Sequence, residues 1–245
     1  MDEGHGGWQG LGSRLLDLIY PSSCHHCGCA LTRGDALCAA CRDAVPDLEE
    51  PFCDKCGEMF DGAIDGAFEC ANCRGQTFHF EFARPGVPRS EGAMNLIHDF
   101  KYSRRLHLAR ECARMARRAF DDPRLQEPLN ARWPLVPVPL HRRRLRWRQF
   151  NQAREVAVPL GRELGLPVQD WLKRIRPTTT QTRLSRRQRQ QNLRGAFEVA
   201  REVEGIEGVI LVDDVFTTGS TVNECSRVLC RAGVQKVVVV TVMRG

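Results

Sequence analysis

Two kinds of apolar pattern alternate along this chain. Val209-Ile-Leu-Val212 and Val237-Val-Val-Val-Thr-Val-Met243 are apolar runs of strand length, as expected of strands buried on both faces of a parallel sheet. Leu135 to Val138 fits a third, shorter strand, and the alternation of Phe78, Phe80 and Phe82 predicts a fourth over Gln76 to Phe82. Helical spacing fills the intervals. Met94, Ile97, Phe100, Leu106, Leu108, Met115 and Phe120 predict two helices broken near Lys101-Tyr102-Ser103. Asn151 to Leu164 reads as a helix ended by Gly165 and Pro167, and Asn223 to Ala232 as another. Leu11 to Tyr20 reads as a short amphipathic helix stopped by Pro21. Strands alternating with helices imply an α/β class: an open, mostly parallel sheet flanked by helices.

The first long strand ends in chemistry. Asp213 and Asp214 follow Val212, and the loop Thr217-Thr218-Gly219-Ser220-Thr221 leads into the helix beyond. Backbone N–H groups at a helix start, a glycine free to turn and several hydroxyls make a cradle for a phosphate dianion. A Walker A loop is excluded, since no lysine follows the glycine. The acid pair would instead accept hydrogen bonds from sugar hydroxyls while the loop holds a phosphate. This stretch resembles the ribose-5-phosphate-binding signature of type I phosphoribosyltransferases.

The composition, 42% hydrophobic and 27% charged over 245 residues, suits one α/β domain and a smaller module, with a boundary expected between residues 75 and 76. The net charge of +6 agrees with an anionic partner, a phosphorylated metabolite or nucleic acid, but decides nothing alone. No export signal or bilayer-length apolar run is legible, so a cytoplasmic location is expected. In a reducing compartment the 12 cysteines are not disulfides.

Their spacing supplies another explanation. Cys24 and Cys27, Cys38 and Cys41, Cys53 and Cys56, and Cys70 and Cys73 form four C-x-x-C pairs, enough for two tetrahedral S4 zinc sites. Sequential pairing is the simplest, with a crossed arrangement left open. Four protein ligands leave no open coordination position, so both zincs are expected to be structural. Cys29, beside the first knuckle, lies close enough to be a substitute ligand, with an exposed side chain the expectation. The many acids of this segment argue against a strong phosphate-binding face.

Arginine dominates the remaining candidates. Pro137 and Pro139 stiffen the chain ahead of His141-Arg142-Arg143-Arg144-Leu-Arg146-Trp-Arg148, where guanidinium forks suit a pyrophosphate. A solvated basic surface, or a nucleic-acid patch with Trp147 and Phe150 stacking on bases, fits the same residues. Gln181 to Asn192 is polar and basic, as a mobile lid would be.

Taken together, the chain resembles the ComF family of competence-associated, phosphoribosyltransferase-like proteins from Cys24 onward. The cysteine pairs, Pro137 to Gln152, Gln181 to Phe197 and Val212 to Thr221 carry the resemblance. It implies a type I phosphoribosyltransferase-like sheet behind a double zinc ribbon, with 5-phosphoribosyl diphosphate as ligand and Mg2+ on its diphosphate. Single-stranded DNA or a protein of the competence machinery would be further partners on this resemblance. Asp213 and Asp214 would be the catalytic pair and Thr217 to Thr221 the phosphate loop. Pro137, Val138, Pro139, Arg142, Arg144, Arg148, Asn151, Gln152, Lys101, Gln181, Arg189 and Asn192 would surround the rest of the ligand. The acceptor, and whether the ligand is turned over or only bound, stay open. Gln149 stands where the family pattern has glycine.

Overall fold

The computed structural model describes residues 23–31, 35–64, 66–177 and 186–245, apart from the side chains of residues 186, 187, 189 and 190. The helix expected over Leu11 to Tyr20 lies outside these residues, as does Gln181. By compactness the chain divides into Met1–Val45 and Pro46–Gly245. In the smaller unit, Cys24 and Cys27 flank a tight turn and the short helix Ala39–Asp43 begins at Cys38.

Among the described residues the larger unit is built on six strands: β1 (Ala83–Val87), β2 (Leu135–Pro137), β3 (Leu172–Arg174), β4 (Phe197–Val199), β5 (Gly208–Phe216) and β6 (Lys236–Arg244). Four of them form a parallel sheet in the order β1-β6-β5-β2. β3 and β4 form a separate antiparallel pair. The apolar runs occupy the sheet's centre, where every residue of 209–212 and 237–240 is at most 2% exposed. Helices Ala109–Arg117 and Gln152–Leu164 pack on the sheet and on each other, and helix Ser220–Arg231 covers β4, β5 and β6. Contact with the first of these is close: a Cβ at Gly86 would fall 1.9 Å from Met115 O. Among the described residues no helix is long and apolar enough to cross a membrane.

The predicted α/β class is therefore observed, with one element displaced. Gln76 to Phe82 is not a strand; β1 begins at Ala83. The Phe78 and Phe80 rings pack on each other at 4.9 Å and His79 N–H donates to Asn223 Oδ1 at 2.7 Å, while the end of the segment reaches β6, where Glu81 N–H donates to Val237 O at 2.8 Å and Phe82 O accepts the Val239 N–H at 3.0 Å. β1 tolerates Pro85 because it pairs with β6 alone, at the sheet edge. The break near Lys101 is real, separating helix Glu91–Tyr102 from the next.

Candidate functional site

β5 carries Asp213 and Asp214 out of the core at its C-terminal end, the edge at which parallel sheets bind ligands. The chain then turns at Gly219, whose φ of 73° lies in the left-handed region, and enters helix Ser220–Arg231 with no side chain capping its first turn. Its leading N–H groups are thus available to an anion. Thr218 Oγ1 and Ser220 Oγ lie 2.8 Å apart, tying the loop hydroxyls together.

The acid pair is asymmetric. Lys101 Nζ lies 2.9 Å from Asp214 Oδ1. Asp213 Oδ1 accepts the Asp214 N–H at 2.9 Å. Burial, with the Asp214 charge beside it, pushes the Asp213 carboxyl up to about 7.

A cavity of about 490 Å³ opens over these carboxylates. Lys101, Val138, Pro139, Arg144, Arg148, Asn151 and Gln152 line it together with Asp213, Asp214, Thr217 and Thr221. Asn151 is placed by two bonds: its Nδ2 donates to Val138 O at 3.0 Å, and its Oδ1 accepts the Ala153 N–H at 3.2 Å as the cap of the following helix. Arg148 is 9% exposed, donates to Gln152 Oε1 at 2.8 Å and lies over the Tyr102 ring.

Other expected residues lie elsewhere. Pro137 is buried in β2, and Arg142 is exposed and does not line the cavity. Thr218, Gly219 and Ser220 belong to the adjoining loop concavity. Asn192 lies on helix Arg186–Leu193, which packs against helix Ser220–Arg231. Arg189 is on the same helix, and its side chain is among those not described.

Among the lining residues that escaped the sequence reading as ligand neighbours are Arg174, Tyr102 and, as a wall of this cavity, Trp147. Arg174 is 8% exposed and lies over the Phe197 ring, and burial lowers it to about 10, still charged near neutrality. One signal could have found it, since Leu172 and Arg174 share the inward face of β3 and a charge there needs a reason.

The cysteines converge on two clusters. Cys53, Cys56, Cys70 and Cys73 bring their sulfurs within 4.8 Å of one another, as do Cys24, Cys27, Cys29 and Cys38. Cys41, expected in the first set, adjoins it: its thiol neighbours those of Cys38, Cys27 and Cys24. Cys29 is exposed, as expected, and its sulfur also joins the set, so five thiols meet there. Four sulfurs about 2.3 Å from one tetrahedral zinc stand about 3.8 Å apart. Cys56 and Cys70 Sγ are 3.7 Å apart and Cys27 and Cys38 Sγ 3.8 Å, so both clusters fit structural zinc.

Competence protein F of Haemophilus influenzae is 33% identical over 218 residues, covering 87% of this chain and 93% of that protein. The chain belongs to the competence protein F family. The DNA utilization protein YhgH of Salmonella typhimurium and that of Escherichia coli K12 are each 32% identical, covering 88% of this chain and 94% of theirs. A double zinc ribbon domain matches residues 15–74, spanning both clusters of this family member. Among solved structures, the allosteric regulatory enzyme of purine biosynthesis is similar at 20% identity and a TM-score of 0.34, over 55% of this chain and 25% of that one. The departure at Gln149 from the ComF pattern also finds its place: it caps helix Arg142–Arg148 at φ 71°, in the left-handed region that glycine enters at no cost.

Proposed function

We propose that this chain binds 5-phosphoribosyl diphosphate with Mg2+ and transfers or senses its phosphoribosyl group. The observation that carries the reading is the acid pair Asp213-Asp214 on the floor of a cavity walled by Arg144, Arg148 and Arg174 and continuous with Thr217 and Thr221. The loop N–H groups and hydroxyls would hold the 5-phosphate, and the two carboxylates would accept the ribose hydroxyls. Lys101 would leave Asp214 as those hydroxyls arrive. Arg144 and Arg174 would hold the diphosphate, the bidentate task for which guanidinium is suited. Mg2+, when bound with the ligand, supplies charge neutralisation to that leaving group. The cavity presents cations where a diphosphate departs and carboxylates where a ribose gains positive character, an arrangement suited to a loose displacement at the anomeric carbon.

A second reading rests on a different observation. Trp147 and Tyr102 are 53% and 49% exposed with ring centroids 6.0 Å apart. Arg142, Arg143 and Arg146 are exposed on the same short helix as Trp147. Aromatic faces beside arginines suit single-stranded nucleic acid. The names of the relatives, competence protein F and DNA utilization protein, favour work with DNA for this family.

Calorimetric titration of 5-phosphoribosyl diphosphate with Mg2+ tests the first reading. Saturable binding that is lost in Asp213→Ala/Asp214→Ala supports it. No binding, with salt-dependent binding of single-stranded DNA, transfers the function to the arginine face.

A further inference from the structure

The second cysteine cluster and the phosphate loop meet at one side chain. Arg244, at the end of β6, is 5% exposed. Its Nη1 donates to Phe216 O at 2.7 Å and to Thr217 O at 3.0 Å, the carbonyls at the threshold of the loop. Its Nη2 forms an ion pair with Glu58. Glu58 stands two residues beyond Cys56, and its carbonyl accepts the Cys53 N–H at 2.8 Å, so its backbone is part of the knuckle. Cys56, Cys73, Thr217, Thr218 and Arg244 line one cavity of about 320 Å³, so cluster and loop share a wall.

The loop side is equally constrained. The Phe216 ring lies under the Arg244 guanidinium at 5.4 Å and meets Phe80 edge-on at 6.1 Å. A Cβ at Gly219 would fall 2.6 Å from Phe216 Cζ, so the turn is fitted onto this ring. Moving Phe216 therefore moves Gly219 and the N–H groups after it.

We propose that Arg244 is a positioning residue that couples the metal state of the Cys53, Cys56, Cys70 and Cys73 cluster to the geometry of the phosphate loop. A guanidinium this buried is retained because Glu58 neutralises it. Glu58 stays in reach because four thiolates on one ion hold the knuckle, a segment with little apolar core of its own. When the ion leaves, Glu58 swings out, Arg244 gives up the Phe216 and Thr217 carbonyls, and the loop loses its anion-binding shape. The ribbon on this reading is a condition of ligand binding as well as a fold staple. The inference rests on the phosphoribosyl reading only for the identity of the loop's ligand.

Full-length Arg244→Gln and Glu58→Gln test it, with zinc content, amide hydrogen exchange of residues 216–222, and affinity for inorganic phosphate and for 5-phosphoribosyl diphosphate with Mg2+ all measured. Arg244→Gln is expected to keep the zinc content of the wild type, to exchange faster across the loop and to bind phosphate about tenfold more weakly, the loss of one charge-assisted contact. Stripping the second cluster through Cys53→Ser/Cys73→Ser should reproduce the loop change, and Arg244→Lys should restore part of the protection. Glu58 is at the wetter end of the pair, so Glu58→Gln decides the matter if Arg244→Gln fails to fold. Wild-type loop exchange in Glu58→Gln and in a folded Arg244→Gln overturns the proposal. If wild-type protein binds neither ligand, the phosphoribosyl reading falls, while loop exchange still decides the coupling.

Discussion

Lys101 Nζ sits 2.9 Å from Asp214 Oδ1, and its charge also lowers the neighbouring Asp213, against the burial that raises it. Removing the ammonium leaves two carboxylates side by side with less compensation. Lys101→Met is therefore expected to move the Asp213 titration further above about 7. Carboxyl-carbon NMR of aspartate-labelled protein reads this directly, and an unmoved or lowered midpoint refutes it.

The same group makes stability pH-dependent. Folded Asp213 keeps its proton up to about 7, whereas the ordinary value is 3.8. The folded chain binds more protons between those values, so the contribution favours folding at low pH, is lost as pH rises through the window and is flat above it. Between pH 5.5 and 7.5 the thermal midpoint should fall more steeply in wild type than in Asp213→Asn. The comparison with the variant separates this effect from proton competition at the cysteines.

Arg174 is the cavity cation that the phosphoribosyl reading most needs tested. Arg174→Ala is expected to weaken binding of 5-phosphoribosyl diphosphate by about tenfold or more, as for loss of a charge-assisted pair. Equal affinity in calorimetry would remove Arg174 from the ligand's surroundings.

Purified protein should carry two zinc ions per chain, released by organomercurial titration and read with a chromogenic chelator. Cys53→Ser/Cys73→Ser should release one of them and lower the stability of the larger unit, since these thiols are buried in the same core as Phe80 and Phe216. One ion per chain in wild type would contradict the two-site geometry.

At the end of helix Arg142–Arg148, Gln149 pays a left-handed backbone penalty at φ 71°. Gln149→Gly should raise unfolding free energy by about 1 kcal/mol. Denaturant melts check it, and a destabilised variant would mean that the glutamine side chain makes up for the strain.

Much of the candidate site's lining was legible in sequence because it is local. Val212 to Thr221 carries acid pair, turn glycine and hydroxyls within one strand–loop–helix unit, so periodicity and residue type suffice. Asn151 and Gln152 were legible through their motif, yet why they matter was not: Asn151 holds the Val138 carbonyl, and Gln152 is the acceptor that keeps Arg148 in place. Arg174 was missed because its role depends on β3 and β4 pairing near helix Ser220–Arg231, a contact between segments far apart in the chain. The displaced strand at Gln76 to Phe82 failed for a similar reason: an alternating aromatic pattern fits a strand, but the rings found partners in one another and in Phe216.

By itself the sequence determined the two buried central strands, the helices between them, the glycine- and hydroxyl-bearing loop after the acid pair and the eight C-x-x-C thiols, since each follows from spacing along a short stretch. The tertiary structure alone decided which thiols gather, bringing Cys29 into the first cluster. It also decided which arginines face the carboxylates and that Glu58 and Arg244 meet beside the loop. These are choices among residues of the same type, all chemically able to play the part. Only the packing of distant segments, which sets burial and distance, separates them.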